Sequence, residues 1–211
     1  MICIFDMDGT IADSMQHWSM NMLRILDRGG VDIPPDVIHI ATPMGNRQMA
    51  EYFRSLGVTL TCEQILAALD DMISYDYAHT IECKPWVIEF LWSLKNKGDR
   101  LCVLTASPHR LVDPFLKKYG IFDLFDHIWS SDDFEYGKSD GRIYEKICGI
   151  LNTAPDDITL YDDNRAALCA AHGAGLHTVG VYDDSSADEK DAITSFADGY
   201  ITCFSDFLPL S

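Results

Sequence analysis

The sequence predicts an α/β fold: a three-layer, Rossmann-like parallel sheet core carrying an inserted helical segment. Three observations point there. Short apolar runs recur at Ile2–Phe5, Leu101–Leu104, Ile158–Tyr161 and Thr178–Val181, each bounded by polar residues or glycine, as buried strands are. Helical patterns separate the later runs, and strand–helix alternation favours parallel pairing. Residues 14–83, between the first and second runs, contain no strand pattern.

Taken in order, Ile2–Phe5 is a strand too short and too uniformly apolar for an amphipathic helix. Ser14–Arg28 places Met15, Trp18, Met22, Ile25 and Leu26 on one helical face. Pro34-Pro35 breaks the pattern, and Gln48–Leu56 and Cys62–Tyr77 resume it. Pro85–Lys97 repeats apolar residues at Trp86, Ile88, Phe90, Leu91 and Leu94, with Gly98 as a stop. Trp86 and Trp92 are expected to pack this helix against the sheet. After Leu101–Leu104, Arg110–Tyr119 is helical and closed by Gly120. Ile128–Ser130 is a weaker strand; Arg142–Leu151 and Arg165–His172 are the helices around Ile158–Tyr161. Asp183-Asp184-Ser185-Ser186 is expected to be a solvated loop or a helix start. The expected organisation is an α/β core of residues 1–13 and 84–211 and a helical cap of residues 14–83, with no internal repeat or low-complexity segment.

The composition excludes several classes. A chain of 211 residues fits one domain, or one domain with an insertion. Its 47% apolar content fills a core, so disorder is a poor reading. Sixteen basic residues against 33 acidic ones leave a net charge of −17, which repels phosphate backbones and anionic membrane surfaces. No nucleic-acid or membrane partner is expected, and the chain is expected to be a monomer or homodimer. The seven cysteines are scattered, without a C-x-x-C pair, as in reduced, mostly buried thiols. No run approaches the ~20 apolar residues of a spanning helix, and Met1–Asp6 lacks a basic leader region. A cytoplasmic location is therefore expected.

Four short segments carry chemistry. Asp6-Met7-Asp8-Gly9-Thr10 puts two carboxylates two residues apart at the end of a strand, the edge where open parallel sheets bind ligands. It is not a calcium loop, because Ile11 stands where that loop needs glycine. Thr105-Ala106-Ser107 follows the second run; its hydroxyls and N–H groups suit an anion, or alternatively a helix cap. Gly137-Lys138-Ser139-Asp140-Gly141 is not a Walker A loop, because Asp132 occupies the position of the required first glycine. A lone loop lysine is ordinarily a solvated one. Tyr161-Asp162-Asp163-Asn164 again sets two acids at a strand end. Clustered carboxylates repel one another unless a cation intervenes, and an oxygen-only donor set suits Mg²⁺.

The order of these segments resembles the haloacid dehalogenase-like superfamily, in its phosphatase branch with the Asp-x-Asp-Gly-Thr signature and a small helical cap, as in phosphoglycolate phosphatases and β-phosphoglucomutases. Leu160–Val181, with Ala170-Ala171-His172-Gly173-Ala174-Gly175, is similar to that family's fourth motif and the helix end after it. The resemblance implies that Asp6 is the nucleophile that becomes an aspartyl-phosphate and that Asp8 is the general acid/base. It implies that Thr105, with the N–H groups of Ala106 and Ser107, holds phosphate oxygens, and that Lys138 neutralises Asp6 and the phosphate. Mg²⁺ would be held by Asp6, the Asp8 main-chain carbonyl and Asp162, with Asp163 binding directly or through water. The sequence departs from the pattern in places. Ser139, Asp140 and Gly141 replace a frequent Pro-x-Pro; Tyr161 replaces a glycine; Ala166 and Ala167 stand where many relatives have a further acid.

The resemblance thus implies Mg²⁺-dependent hydrolysis of a small phosphorylated metabolite, such as phosphoglycolate, a nucleotide or a sugar phosphate. A second acid at Asp8 argues against the dehalogenase branch, which has no leaving alcohol to protonate. A β-phosphoglucomutase-like mutase shares the same core residues and stays open, as does a non-catalytic binding domain, against which the intact residue set argues. In the cap, Thr42–Met49 presents Arg47 near a helix start, a candidate for a second anionic group of the substrate. His17, Trp18 and His109 are further candidates for lining the cleft, or for ordinary packing.

Overall fold

The computed structural model describes residues 1–42 and 44–208, so Pro43 of the Thr42–Met49 segment lies outside the described residues. The chain divides into two compact units: Met1–Asp13 together with the chain from Glu82 onward, and Ser14–Ile81. Strand β1 (Ile2–Phe5) is followed by helices α1 (Met15–Arg28), α2 (Val37–Ala41), α3 (Asn46–Ser55) and α4 (Cys62–His79), which build the second unit. The first unit resumes with α5 (Val87–Asn96), β2 (Arg100–Thr105), α6 (His109–Lys118), β3 (Phe125–Ser130), α7 (Gly141–Leu151) and β4 (Ile158–Asp162). It ends with α8 (Arg165–Gly173), β5 (His177–Val181), α9 (Lys190–Thr194) and β6 (Gly199–Ile201).

The six strands form one sheet in the order β3-β2-β1-β4-β5-β6, and each neighbouring pair is parallel. Ile2 is paired with both Arg100 and Ile158, so β1 is central. Its four residues are all buried, which is why this strand reads as a continuous apolar run rather than an alternation. Period two sends Ile2 and Ile4 to one face, where they pack with Cys102, Leu104 and Leu160 against Ile143, Tyr144 and Ile147 of α7 and Leu168 of α8. On the other face Phe5 stacks on Tyr161 at 4.5 Å between centroids, and Phe90 of α5 meets both rings edge-on. Helices on both faces make the three layers. Within the helical unit, Ile25, Leu26, Ala50, Phe53 and Ile65 form a core of its own, and Thr61 with Gln64 closes a reciprocal capping box at the start of α4.

Several elements differ from the sequence reading. Strand β3 begins at Phe125 rather than Ile128; it is an edge strand with a half-exposed middle, so its polar residues hid it. The short elements α2, α9 and β6 leave no clear periodic signature. Trp86 and Trp92 are not packed on the sheet: they are 52% and 46% exposed, while Val87, Phe90, Leu91 and Leu94 form the buried stripe of α5. Trp86 stands before the helix with φ +65°. Asp183, read as part of a solvated loop or a helix start, is the helix start: it caps a short 3-10 helix at Asp184–Glu189 and is buried rather than solvated. No disulfide joins the cysteines; Cys3, Cys102 and Cys148 are buried thiols and Cys169 is exposed. Among the described residues no helix is long and apolar enough to cross a membrane.

Candidate active site

The site lies at the carboxyl ends of β1, β2 and β4. Asp6 directly follows β1, its N–H donating to the Tyr161 carbonyl at 2.9 Å, and it is 5% exposed. Beyond it the chain folds back on itself. The N–H groups of Ile11 and Ala12 both donate to the Met7 carbonyl, and Gly9 N–H donates to Ala12. Gly9 makes this turn with φ +79°, a left-handed conformation costly to other residues. The turn leaves Asp8 half-exposed, its Oδ2 accepting from the Ser107 hydroxyl at 2.5 Å.

Thr105 ends β2 and is buried, its Oγ1 accepting from Ser107 N–H at 3.0 Å. Its carbonyl accepts from Ser131 Oγ at 3.2 Å. Ala106 is exposed between them. The N–H of Ser107 is thus engaged with Thr105 in this structure, and its hydroxyl with Asp8.

Lys138 lies in the loop before α7, yet its side chain is nearly buried. Its Nζ is 2.7 Å from Asp6 Oδ1 and 2.9 Å from Asp162 Oδ2, which makes it a site lysine rather than a solvated one. Tyr144 fixes the loop by donating its hydroxyl to the Lys138 carbonyl at 2.9 Å. Asp162, the last residue of β4, accepts at its other oxygen from Asn164 N–H at 2.8 Å. Asn164 in turn caps α8 through Ala166 and Ala167.

Asp6, Asp162 and Asp163 are all buried, with one carboxylate oxygen of each within 4.8 Å of the others. Burial pushes the Asp6 carboxyl up to about 7 against the pull of Lys138, with Asp162 and Asp8 adding to the rise. Asp163 is raised well above the carboxylate range by burial and by Asp162 and Asp6. Burial works against the charged form of Lys138, but Asp162 and Asp6 outweigh it and raise its pKa. One ammonium therefore faces three buried carboxylates, and Asp6 Oδ1 lacks an aligned hydrogen-bond donor despite its ion-pair contact. A hard divalent cation fits this donor set: all ligands are oxygen, and two further positive charges would balance the cluster.

Two other charged clusters lie in the same unit. Lys84 Nζ contacts Asp183 Oδ2 at 2.6 Å and the Tyr182 carbonyl at 3.0 Å, beside the point where Asp13 N–H donates to Glu82. The sequence carries no local sign of this pairing. His109 lies between Asp113 and Asp133, 3.0 Å from each. These two hydrogen bonds raise its pKa. Arg47, near the start of α3, is 85% exposed and pairs with Glu51 at 3.2 Å. His17 Nδ1 is 3.4 Å from Asp76 Oδ2 within the helical unit, and Trp18 packs on that unit's core.

The sequence profile of the haloacid dehalogenase-like hydrolases matches residues 3–181. A validoxylamine A 7′-phosphate phosphatase from Streptomyces hygroscopicus subsp. limoneus is 28% identical, covering 91% of this chain and 92% of its own. A phosphoglycolate phosphatase from Mannheimia succiniciproducens is 30% identical, covering 84% and 83%. Among solved structures, CbbY from Rhodobacter sphaeroides in complex with phosphate superposes with a TM-score of 0.81 at 22% identity, over 98% of this chain and 96% of that one. A β-phosphoglucomutase from Clostridium difficile superposes at 0.77 and 17% identity, over 98% and 92%. At those identities the superpositions speak for the fold. With the profile spanning most of the chain and curated phosphatases aligned along it, this chain belongs to the haloacid dehalogenase-like hydrolases, in their phosphatase branch, as a phosphoric monoester hydrolase.

Proposed function

We propose that the chain hydrolyses small phosphomonoesters through a phosphorylated Asp6, with Mg²⁺ as its cofactor. The observation that carries this reading is Lys138, buried between Asp6 and Asp162 at the ends of adjacent strands, with Asp8 and Thr105 on the same edge. An Asp6 oxygen attacks phosphorus and the ester P–O bond breaks. Asp8, protonated, gives its proton to the leaving alkoxide oxygen. Asp8 as carboxylate then takes a proton from water, whose oxygen attacks phosphorus and breaks the bond to Asp6, releasing inorganic phosphate. Thr105 is positioned to hold a phosphate oxygen, and Lys138 offsets the negative charge that would keep Asp6 from a phosphate dianion. Asp6, Asp162, Asp163 and the Asp8 main-chain carbonyl would hold Mg²⁺, which supplies further positive charge where the phosphoryl oxygens gather.

The substrate class is a small phosphorylated metabolite, in keeping with relatives named for phosphoglycolate and for validoxylamine A 7′-phosphate. The test is release of inorganic phosphate from a panel of phosphomonoesters, with Mg²⁺ and with EDTA, for the wild type and Asp6→Asn. Mg²⁺-dependent release lost in the variant is the expected result. Release that survives Asp6→Asn overturns the covalent route, and equal release in EDTA overturns the metal requirement.

A further inference from the structure

We infer that Arg142 is a positioning residue for Lys138: its one guanidinium holds both ends of the loop from which Lys138 reaches Asp6. The inference rests on the phosphomonoesterase reading above and deepens it. Lys138 stands in a tight turn closed by Asp140 N–H, which donates to the Gly137 carbonyl at 3.0 Å. Just before the turn, the Tyr136 ring carries the Arg142 guanidinium on its face, 4.0 Å from the ring centre. Just after it, the Asp140 carboxylate accepts from Arg142 Nε at 2.9 and 3.1 Å and from Nη2. Asp140 also accepts from Arg142 N–H at 3.0 Å, as the cap of α7. Tyr136 is half-buried against the core cluster that contains Tyr144, and the Tyr144 hydroxyl holds the Lys138 carbonyl at 2.9 Å. The loop is thus fastened at its start, its middle and its end.

The covalent chain does little to stiffen this segment. Gly137 and Gly141 flank the turn, and no proline fixes a φ angle within it. Its shape therefore depends on side-chain contacts. Arg142 is 61% exposed and Asp140 34%, so the clamp adds little to global stability. Its geometry is nevertheless the ordered kind: a planar fork on a carboxylate and a cation over a ring. A lysine offers neither the fork nor the stacking plane. On the proposed route Asp6 gives up its charge when it is phosphorylated, so its ion pair with Lys138 does not last through the cycle. The clamp lies outside the reacting groups and keeps its charges throughout. It holds the Lys138 backbone while the ammonium passes from the Asp6 carboxylate to the phosphoryl oxygens. A misplacement of about 1 Å at such a group can cost on the order of 100-fold in rate.

The test reads kcat, KM and the melting temperature together, on the full chain with Mg²⁺ and a phosphomonoester turned over by the wild type. We expect Arg142→Ala to lower kcat by about tenfold, with KM within about threefold of the wild type. Its melting temperature should fall by less than about 3 °C. Arg142→Lys, which keeps only the charge, should lose as much kcat. Tyr136→Phe, which keeps the ring, should stay within about twofold of the wild type. Unchanged kcat in Arg142→Ala, or full activity in Arg142→Lys, overturns the inference. A fall in kcat matched by a larger loss of melting temperature overturns it in favour of a structural role. A rise in KM alone overturns it in favour of a substrate contact. Should Arg142→Ala not fold, Arg142→Lys makes the same comparison. Asp6-dependent turnover by the wild type leaves the parent reading intact whatever the Arg142 variants do; its absence overturns both.

Discussion

The Asp163 carboxylate occupies the space that a side chain on Gly9 would need: a Cβ placed there would lie 2.5 Å from Asp163 Oδ2 and 2.6 Å from its Cγ. Gly9 also stands at φ +79°. Gly9→Ala therefore costs about 1–2 kcal/mol in backbone strain and displaces Asp163 as well. We expect a lowered melting temperature and a smaller rise in that temperature on adding Mg²⁺. An undiminished Mg²⁺ response in a folded Gly9→Ala protein would show that the Asp163 position does not matter to the cation.

Removing the Lys138 charge leaves Asp6 and Asp162 buried without their counter-ion. Lys138→Met is expected to abolish phosphate release and to cost about 3 kcal/mol of stability near pH 8, the scale for orphaning a buried charge. The deficit should shrink toward pH 5: Lys138 holds the Asp6 pKa down, so without it Asp6 takes up a proton at a higher pH and the orphaned charge is neutralised on the acid side. Denaturant unfolding at the two pH values checks this.

His109 gives a pH window. Its pKa is raised above the ordinary 6.5 by hydrogen bonds to Asp133 and Asp113, so its contribution is full below 6.5 and fades as pH rises through the folded value. Burial opposes ionisation of Asp133, but His109 and the Ser130 N–H outweigh it and hold Asp133 below the ordinary 3.8. That contribution is full above 3.8 and fades as pH falls through the folded value. His109→Gln should lower stability by about 1 kcal/mol between roughly pH 4 and 6.5 and by less at pH 9, in keeping with partly exposed pairs. Thermal melts across that range decide it, and a pH-independent deficit would mean the ring acts by packing alone.

In the helical unit, Asp76 accepts from Asn21 Nδ2 at 2.8 Å and from the Thr80 hydroxyl at 2.9 Å. Asn21 is completely buried, so Asp76→Ala strands a donor with no water to receive it, a cost of about 1–3 kcal/mol. Burial opposes ionisation of Asp76, but the bonds from Asn21 and Thr80 and the nearby His17 prevail and lower its pKa. Its stabilisation is accordingly present above about pH 4 and lost as pH falls further. Faster amide exchange confined to residues 14–81 in Asp76→Ala is the expected readout.

The central strands were legible because both faces of β1 and β4 are covered, which leaves uninterrupted apolar runs. Of the edge strands only the Ile128–Ser130 end of β3 was legible, and β6 was not, since solvent lets polar residues into them. The carboxylate pairs could be placed because they directly follow legible strands. Lys138 was readable only through the family resemblance; by its own surroundings it is a loop lysine, and its burial depends on acids supplied by two distant strands. Lys84 and Asp183 are 99 residues apart, and no local pattern announces a pair joined only by the finished fold. The tryptophans misled for the opposite reason: hydrophobicity alone placed Trp86 and Trp92 inside, while the stripe of α5 was already filled by smaller residues.

The position of β1 in the sheet has a consequence for how the chain reaches its native state. β1 is synthesised before both of its partners: Ile2 pairs with Arg100 and Ile158, and the helices of residues 14–81 are complete before either partner exists. A nascent chain therefore holds β1 as an apolar, unpaired strand until β2 is made, the kind of exposed edge that invites misassembly. Pairings this distant in sequence slow folding, and Asp6 meets Asp162 and Asp163 only once β4 is made. A truncated product ending before residue 158 thus lacks Asp162 and Asp163 and leaves one edge of β1 open, while the intact helical segment within it has its own core to fold upon.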